Sequence, residues 1–266
     1  MPKLAANLSM LFTEREFLDR FALAASCGFR GVEMLFPYDF EPAAIAKALN
    51  SDSLELVLFN TAPGDFQAGE RGIAALPGRE EEFRRTFEVS LEYARTLSCR
   101  RIHFMAGVVP KSLGASACRA CFIENLRWAA GRAGAAGIDL MLEPLNPKDV
   151  PAYLLPRPAA AVAILEEQRL GNVFLQYDVY HTQMSEGSLA ATFTAHSGII
   201  RHIQISGVPG RNEPDEHQEI NYPYLLSLID ASGYDGWVGC EYRPRSDTRS
   251  GLGWARPFGI TAQRST

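Results

Sequence analysis

The sequence has no apolar run near the ~20 residues that a bilayer span requires, and Asn7 and Ser9 break the apolar stretch at its start, so neither a leader nor a membrane partner is expected. It has no excess of positive charge. The 26 Lys and Arg stand against 31 Asp and Glu, a net charge of −5, which leaves no basic footprint, so no nucleic acid partner is expected. Its five cysteines, Cys27, Cys99, Cys118, Cys121 and Cys240, are scattered, which argues against a disulfide framework and for a reducing, cytoplasmic setting. Cys118 and Cys121 form a C-x-x-C inside a helical pattern with no second pair, so they read as helix residues rather than zinc ligands. No G-x-G-x-x-G follows the first strand, and the pair Gly251 and Gly253 lacks a third glycine, so nicotinamide binding is not expected. What remains, 47% hydrophobic and 21% charged, is a core-building globular chain suited to small-molecule work.

What is present is an alternation. Short apolar runs within 1–12, 31–37, 54–60, 101–107, 138–143, 173–178, 199–204 and 237–241 read as strands. Between them lie helical patterns: one from Phe17 to Gly28 behind a capping box at Thr13 to Glu16, then 42–50, 80–97, 112–136, 158–169, 188–195 and 222–231. A short irregular tail surrounds Gly251 to Pro257. Strands that alternate with helices imply a parallel sheet, and eight repeats favour a closed (β/α)8 TIM barrel over an open doubly wound sheet. No linker breaks the alternation, so 1–266 is expected to be one domain. Its long polar loops, 61–79 after strand three and 207–219 after strand seven, are candidate lids.

Four consecutive runs end in a side-chain oxygen: Glu143, Asp178, Gln204 and Glu241. One carboxylate at a strand end is usually a solvated charge or a helix cap, but in a barrel all four would face one mouth. Three carboxylates so close repel unless a cation neutralises them, and an all-oxygen set suits Mg²⁺ or Mn²⁺ better than zinc or copper. Two glutamates beside one metal suggest a proton shuttle, with Glu143 and Glu241 as the acid/base pair moving a carbonyl between neighbouring carbons through an enediolate. A hydride shift would be better served by a second metal, for which no ligand cluster is left. His181, three residues past Asp178, is a candidate for a substrate oxygen, and Arg211 for a substrate carboxylate. Glu70 and Arg71 in the first long loop are further substrate-binding candidates, although they look locally like solvated charge. His103 reads as core, and His202 as core or as support for the ligands.

The stretches Asn7 to Met10, Phe36 to Tyr38, Pro63 to Asp65, Ala68 to Gly72, Pro77 to Glu80, Leu142 to Pro144, Tyr177 to His181, Glu219 to Tyr222 and Gly236 to Tyr242 resemble the hydroxypyruvate isomerase family almost end to end. Asn60 to Asp65 and Met105 to Pro110 are more similar to its 2-oxo-tetronate isomerase branch than to hydroxypyruvate isomerase proper. The resemblance implies a xylose-isomerase-like TIM barrel with Glu143 and Glu241 as the catalytic pair, Glu143, Asp178, Gln204 and Glu241 as ligands of a divalent metal, and an oxo-acid substrate. Ketose 3-epimerases are similar at the three carboxylates but carry histidine where this chain has Gln204, so epimerisation is the less favoured alternative. Arg243, in place of lysine, and Leu145-Asn146 depart from the family pattern beside the catalytic pair and bear on which acid fits. Other readings are a lyase or metal phosphodiesterase on the same barrel, or a barrel that binds a sugar acid without turning it over. The lids leave room for completion by a second subunit, as in a homo-oligomer.

Overall fold

Each apolar run becomes a strand because it is covered on both sides, by side chains filling a barrel and by a coat of helices, where only near-continuous apolar sequence is tolerated. The computed structural model describes residues 1–261, so the last five residues of the expected 1–266 domain lie outside it. The strands are β1 Lys3–Asn7, β2 Gly31–Met34, β3 Glu55–Asn60, β4 Arg101–His103, β5 Asp139–Leu142, β6 Val173–Asp178, β7 Ile200–Ile205 and β8 Trp237–Cys240. Each pairs in parallel with the next, and β8 pairs with β1, closing the barrel as the sequence led one to expect.

The helices are α1 Arg20–Ser26, α2 Pro42–Ser51, α3 Glu80–Thr96, α4 Ala115–Ala135, α5 Pro158–Gln168, α6 Val179–Ser185, α7 Leu189–His196, α8 Tyr222–Ala231 and the short α9 Thr248–Gly251. Proline in the first turn starts α2, α5 and α8, where its missing N–H has no helical partner to lose. Among the described residues no helix is long and apolar enough to cross a membrane. Cys118 and Cys121 are buried on α4 as free thiols.

Two local expectations are corrected, and one helix is added where the sequence pattern places no element. The capping box at Thr13 to Glu16 does not form: a 3-10 turn Phe17–Asp19 precedes α1 without a side-chain cap, and the Glu14 carboxylate instead accepts the backbone N–H of Thr248. The stretch after Asp178 is helical at once, as α6, because Asp178 itself caps it. The tail expected to be irregular is α9 followed by a 3-10 helix Leu252–Phe258, whose Leu252 and Ala255 are buried.

Side-chain alternation divides the interior into layers. Met141 shares a face with Glu143, Phe174 with Asp178, and Trp237 with Glu241. Together with Ala5, Val57 and Leu58, these three form an apolar cluster separate from the main core, and it closes the barrel beneath the polar strand ends. Above it sits Glu33, 1% exposed. Its carboxylate accepts from Asn7 Nδ2 (3.0 Å) and Gln204 Nε2 (2.8 Å) and lies 2.7 Å from His202 Nε2. A buried carboxylate without such partners would cost several kcal/mol, so this layer is a fixed polar floor. Gly239 leaves the space for it, since a Cβ there would collide with the Glu33 carboxylate.

The loop 61–79 is folded back on the barrel rather than extended into solvent. Gly72 N–H donates to Pro63 O (2.8 Å), Ala75 N–H to Ala106 O (2.8 Å), and Ile73, Ala74 and Ala75 are buried in the main core.

Candidate active site at the mouth of the barrel

The end of β6 fixes the first ligand candidate. Asp178 is both the last strand residue and the N-cap of α6: its Oδ1 accepts from Tyr180 N–H (2.7 Å) and His181 N–H (3.1 Å), leaving Oδ2 turned toward Arg211 and His181 just beneath the cavity. Those N–H groups favour the carboxylate. Burial and the nearby Glu33 outweigh them, and the Asp178 carboxyl is pushed up to about 6 although Arg211 pulls the other way.

Glu143 and Glu241 each stand one residue beyond a strand, β5 and β8, and both are buried. Glu143 Oε2 lies 3.1 Å from His103 Nδ1, while its Oε1 is buried without a hydrogen-bond partner. Glu241 Oε1 lies 3.2 Å from a guanidinium nitrogen of Arg211, and the same nitrogen is 3.6 Å from Asp178 Oδ2. Burial, with Glu241 and Asp178 close by, holds the Glu143 carboxyl well above the ordinary carboxylate range. Burial raises Glu241 to about 8 against the pull of Arg211. Burial also opposes the charge on Arg211, but Glu241, Asp178 and Glu143 outweigh it and the guanidinium stays ionised. Arg211 further lies over the Tyr180 ring, 5.0 Å from its centroid.

Gln204 sits in the polar floor. Its amide nitrogen donates to Glu33 and its Oε1 accepts from Gln176 Nε2 (2.6 Å). A carbonyl oxygen has two lone pairs, so one remains after the Gln176 bond.

His181 is held by a residue that sequence reasoning noted only as a departure. Asn146 donates to His181 Nδ1 through its backbone N–H (3.1 Å), and its Nδ2 lies 2.7 Å from the same atom. The amide is oriented by its oxygen, which accepts from the N–H groups of Lys148 and Asp149. Burial, with Arg211 next, keeps the imidazole neutral by lowering its pKa well below the ordinary value. A neutral ring whose Nδ1 accepts carries its proton on Nε2. Nε2 lies 3.9 Å from Asp178 Oδ2, beyond hydrogen-bond distance. Donor atoms of Glu143, Asp178 and His181 all lie within 4.8 Å of one another, but the tautomer suits His181 to hydrogen-bond donation more than to ligation.

The cluster opens into a cavity of about 550 Å³ lined by His103, Glu143, His181, Arg211 and Glu241 at its base and by Arg71 and Arg243 nearer the rim. A larger cavity, about 850 Å³, lies between α8 and the C-terminal 3-10 helix and contains none of these residues, so size alone does not mark the chemistry. Glu70 does not line the active cavity. Its carboxylate is paired with Arg79 and accepts the N–H of Asp65 (2.6 Å), bracing the 61–79 loop. His103, expected in the core, lines the cavity and touches Glu143, and burial lowers its pKa to about 3, so it is neutral. The available signal was its position at the end of a strand, the same place that drew attention to Glu143.

The donor set fits a hard divalent cation: several buried oxygens, one of them without a partner, in carboxyls whose raised pKa values express the lack of a compensating charge.

A family model described as a xylose isomerase-like TIM barrel matches residues 21–258. The chain is 50% identical over 258 residues to the 2-oxo-tetronate isomerase of Cupriavidus necator, covering 97% of this chain and 99% of that one. It is 44% identical to the hydroxypyruvate isomerase of Escherichia coli, covering 97% and 100%. A crystal structure described as an AP endonuclease, family 2, from Brucella melitensis matches with a TM-score of 0.94 at 48% identity, covering 97% of this chain and 99% of that one.

Proposed function

This chain belongs to the xylose isomerase-like TIM barrel family, and we propose that it is a metal-dependent isomerase of short hydroxy- and oxo-acids, acting on a 2-oxo-tetronate. The observation that carries this reading is the pair of buried glutamates, Glu143 and Glu241, facing one cavity from the ends of β5 and β8 with differently occupied oxygens: Glu143 Oε1 is free, whereas Glu241 Oε1 is held by Arg211.

Glu143, Asp178, Gln204 and Glu241 are the residues that would hold Mg²⁺ or Mn²⁺, which when bound supplies positive charge that acidifies the C–H beside a carbonyl. One glutamate removes the proton from the hydroxyl-bearing C3, giving an enediolate. The other returns a proton to C2, and the C3 hydroxyl proton is transferred to the C2 oxygen, so that C3 becomes the carbonyl and C2 the hydroxyl-bearing carbon; the two glutamates end with their protonation states exchanged. Raised pKa values suit both tasks, because a carboxyl near neutrality can give and take protons at comparable cost. His181 donates its Nε2–H to a substrate oxygen, while Arg71 and Arg211 supply positive charge around the substrate.

A three-carbon substrate, hydroxypyruvate, is the second reading, because the same pair serves it and the 44% identical relative bears that name. Phosphodiester hydrolysis on DNA is not favoured: the net charge is −5, and the metal-type cluster among the described residues contains one histidine. Running the reaction in D₂O with three- and four-carbon oxo-acids and each metal tests the proposal. Deuterium at C2 of the product supports it, and turnover with no exchange over many cycles rejects proton transfer.

A further inference from the structure

We propose that Arg243 is the specificity-determining residue that reads the substrate's carboxylate, so that the enzyme prefers oxo-acids to uncharged ketoses of the same length. This rests on the isomerase reading above and deepens it.

Three arginines line the active cavity, and their surroundings separate their tasks. Arg211 is engaged at the base by Glu241 (3.2 Å) and Asp178 (3.6 Å). Arg71 is turned toward its own loop, donating to Phe66 O (3.2 Å) and Glu70 O (2.7 Å) and lying 3.8 Å from the Phe66 ring centroid. Arg243 differs from both. Its backbone is fixed on each side, with its N–H donating to Arg211 O (2.8 Å) and its carbonyl accepting from Asn212 Nδ2 (2.8 Å). Its side chain is exposed at the rim, and among the described residues no carboxylate lies within ion-pair distance of it. Arg245, two residues on, shows the contrast, since it is occupied by Asp215 (2.6 Å) and Glu213 (3.4 Å).

Chain geometry places Arg243 where a carboxylate would be. Glu241 and Arg243 both line the cavity, Glu241 buried at its base and Arg243 exposed, so Arg243 stands two residues farther along the chain toward the opening. A C2–C3 unit lying against Glu143 and Glu241 puts C1 within the reach of an arginine side chain at that height. Electrostatics fixes the direction. Arg211 at the base is already shared between Glu241 and Asp178, whereas the guanidinium of Arg243 at the rim has no carboxylate partner among the described residues and matches one with two parallel N–H bonds. The acid therefore enters with its hydroxy-carbonyl end down and its carboxylate up.

The test measures kcat and KM of wild type, Arg243→Met and Arg243→Lys on a four-carbon 2-oxo-acid and on erythrulose, an uncharged ketose of equal length, and measures calorimetric binding of glycerate and of glycerol. For Arg243→Met, kcat/KM for the acid is expected to fall about 10- to 100-fold, mostly through KM, with glycerate affinity falling in parallel. The preference for acid over ketose should collapse, and Arg243→Lys should recover part of it because charge is kept without the bidentate fork. Thermal midpoints confirm that the exposed substitution leaves the fold intact. If Arg243→Met keeps the wild-type preference and glycerate affinity within about threefold, the assignment is overturned. If wild type turns over no oxo-acid yet binds glycerate in an Arg243-dependent way, the isomerase reading fails while the carboxylate site stands.

Discussion

His103 Nδ1 and Glu143 Oε2 lie 3.1 Å apart at the ends of neighbouring strands, both side chains buried. His103 is neutral and its Nδ1 packs against Oε2 without hydrogen-bond geometry, so the imidazole positions the Glu143 carboxyl by contact, while Oε1 is buried with no partner of its own. His103→Ala is therefore expected to lower kcat about 10- to 100-fold by releasing Glu143, with a stability loss of about 1–3 kcal/mol from the lost contact and the small void. His103→Gln, which fills most of the same space beside the carboxyl, should restore much of kcat. Steady-state kinetics alongside thermal melts checks this; equal recovery of stability by Ala and Gln with no difference in kcat would remove His103 from the site.

Glu143→Gln and Glu241→Gln each replace a proton-transferring group with one that cannot transfer. Each is expected to reduce activity by about 10³-fold or more, beyond the usual contribution of one general acid or base, because a metal ligand is weakened as well. The metal-free proteins should nonetheless melt higher than wild type at neutral pH, since a neutral amide removes the cost of keeping protonated, in the folded state, a carboxyl that the unfolded chain ionises freely. Scanning calorimetry in EDTA reads this second effect independently of activity.

The raised carboxyls also set a pH dependence. Glu241, at about 8, and Asp178, at about 6, both lie above the ordinary value of about 4 that they have in the unfolded chain. The folded, metal-free protein thus holds protons that the unfolded chain has released. Their contribution to stability is fully present below about pH 4 and is lost as pH rises through 6 and 8. Divalent ions need the ionised forms, so their affinity should climb over the same interval. The expected result is a midpoint gain on adding Mn²⁺ that is small at pH 5 and grows toward pH 8, and that is reduced in Glu241→Gln.

Asn146 determines which nitrogen of His181 carries the proton. Asn146→Asp places an acceptor beside Nδ1 and favours a proton there, opposing the tautomer that presents Nε2–H to the substrate. An activity loss of about tenfold or more is expected, with His181 titrating at higher pH than in wild type; ¹⁵N chemical shifts of the imidazole report both tautomer and charge.

Some of this protein is determined by its sequence alone. A strand covered on both faces must be apolar throughout, so the eight runs and the helices between them indicate a barrel, and a charge that ends such a run must lie at the strand's mouth. Glu143, Asp178, Gln204 and Glu241 were legible for that reason. The tertiary structure decided what meets across the barrel. His103 finds Glu143 40 residues away, Gln204 finds Glu33 171 residues away, and Arg211 turns inward onto two carboxylates, while Glu70 is taken by Arg79 at nine residues' separation. Local pattern specifies which face a side chain occupies. Strand register, loop path and rotamer specify its partner, and these are fixed only when the barrel closes and every buried polar group must find one.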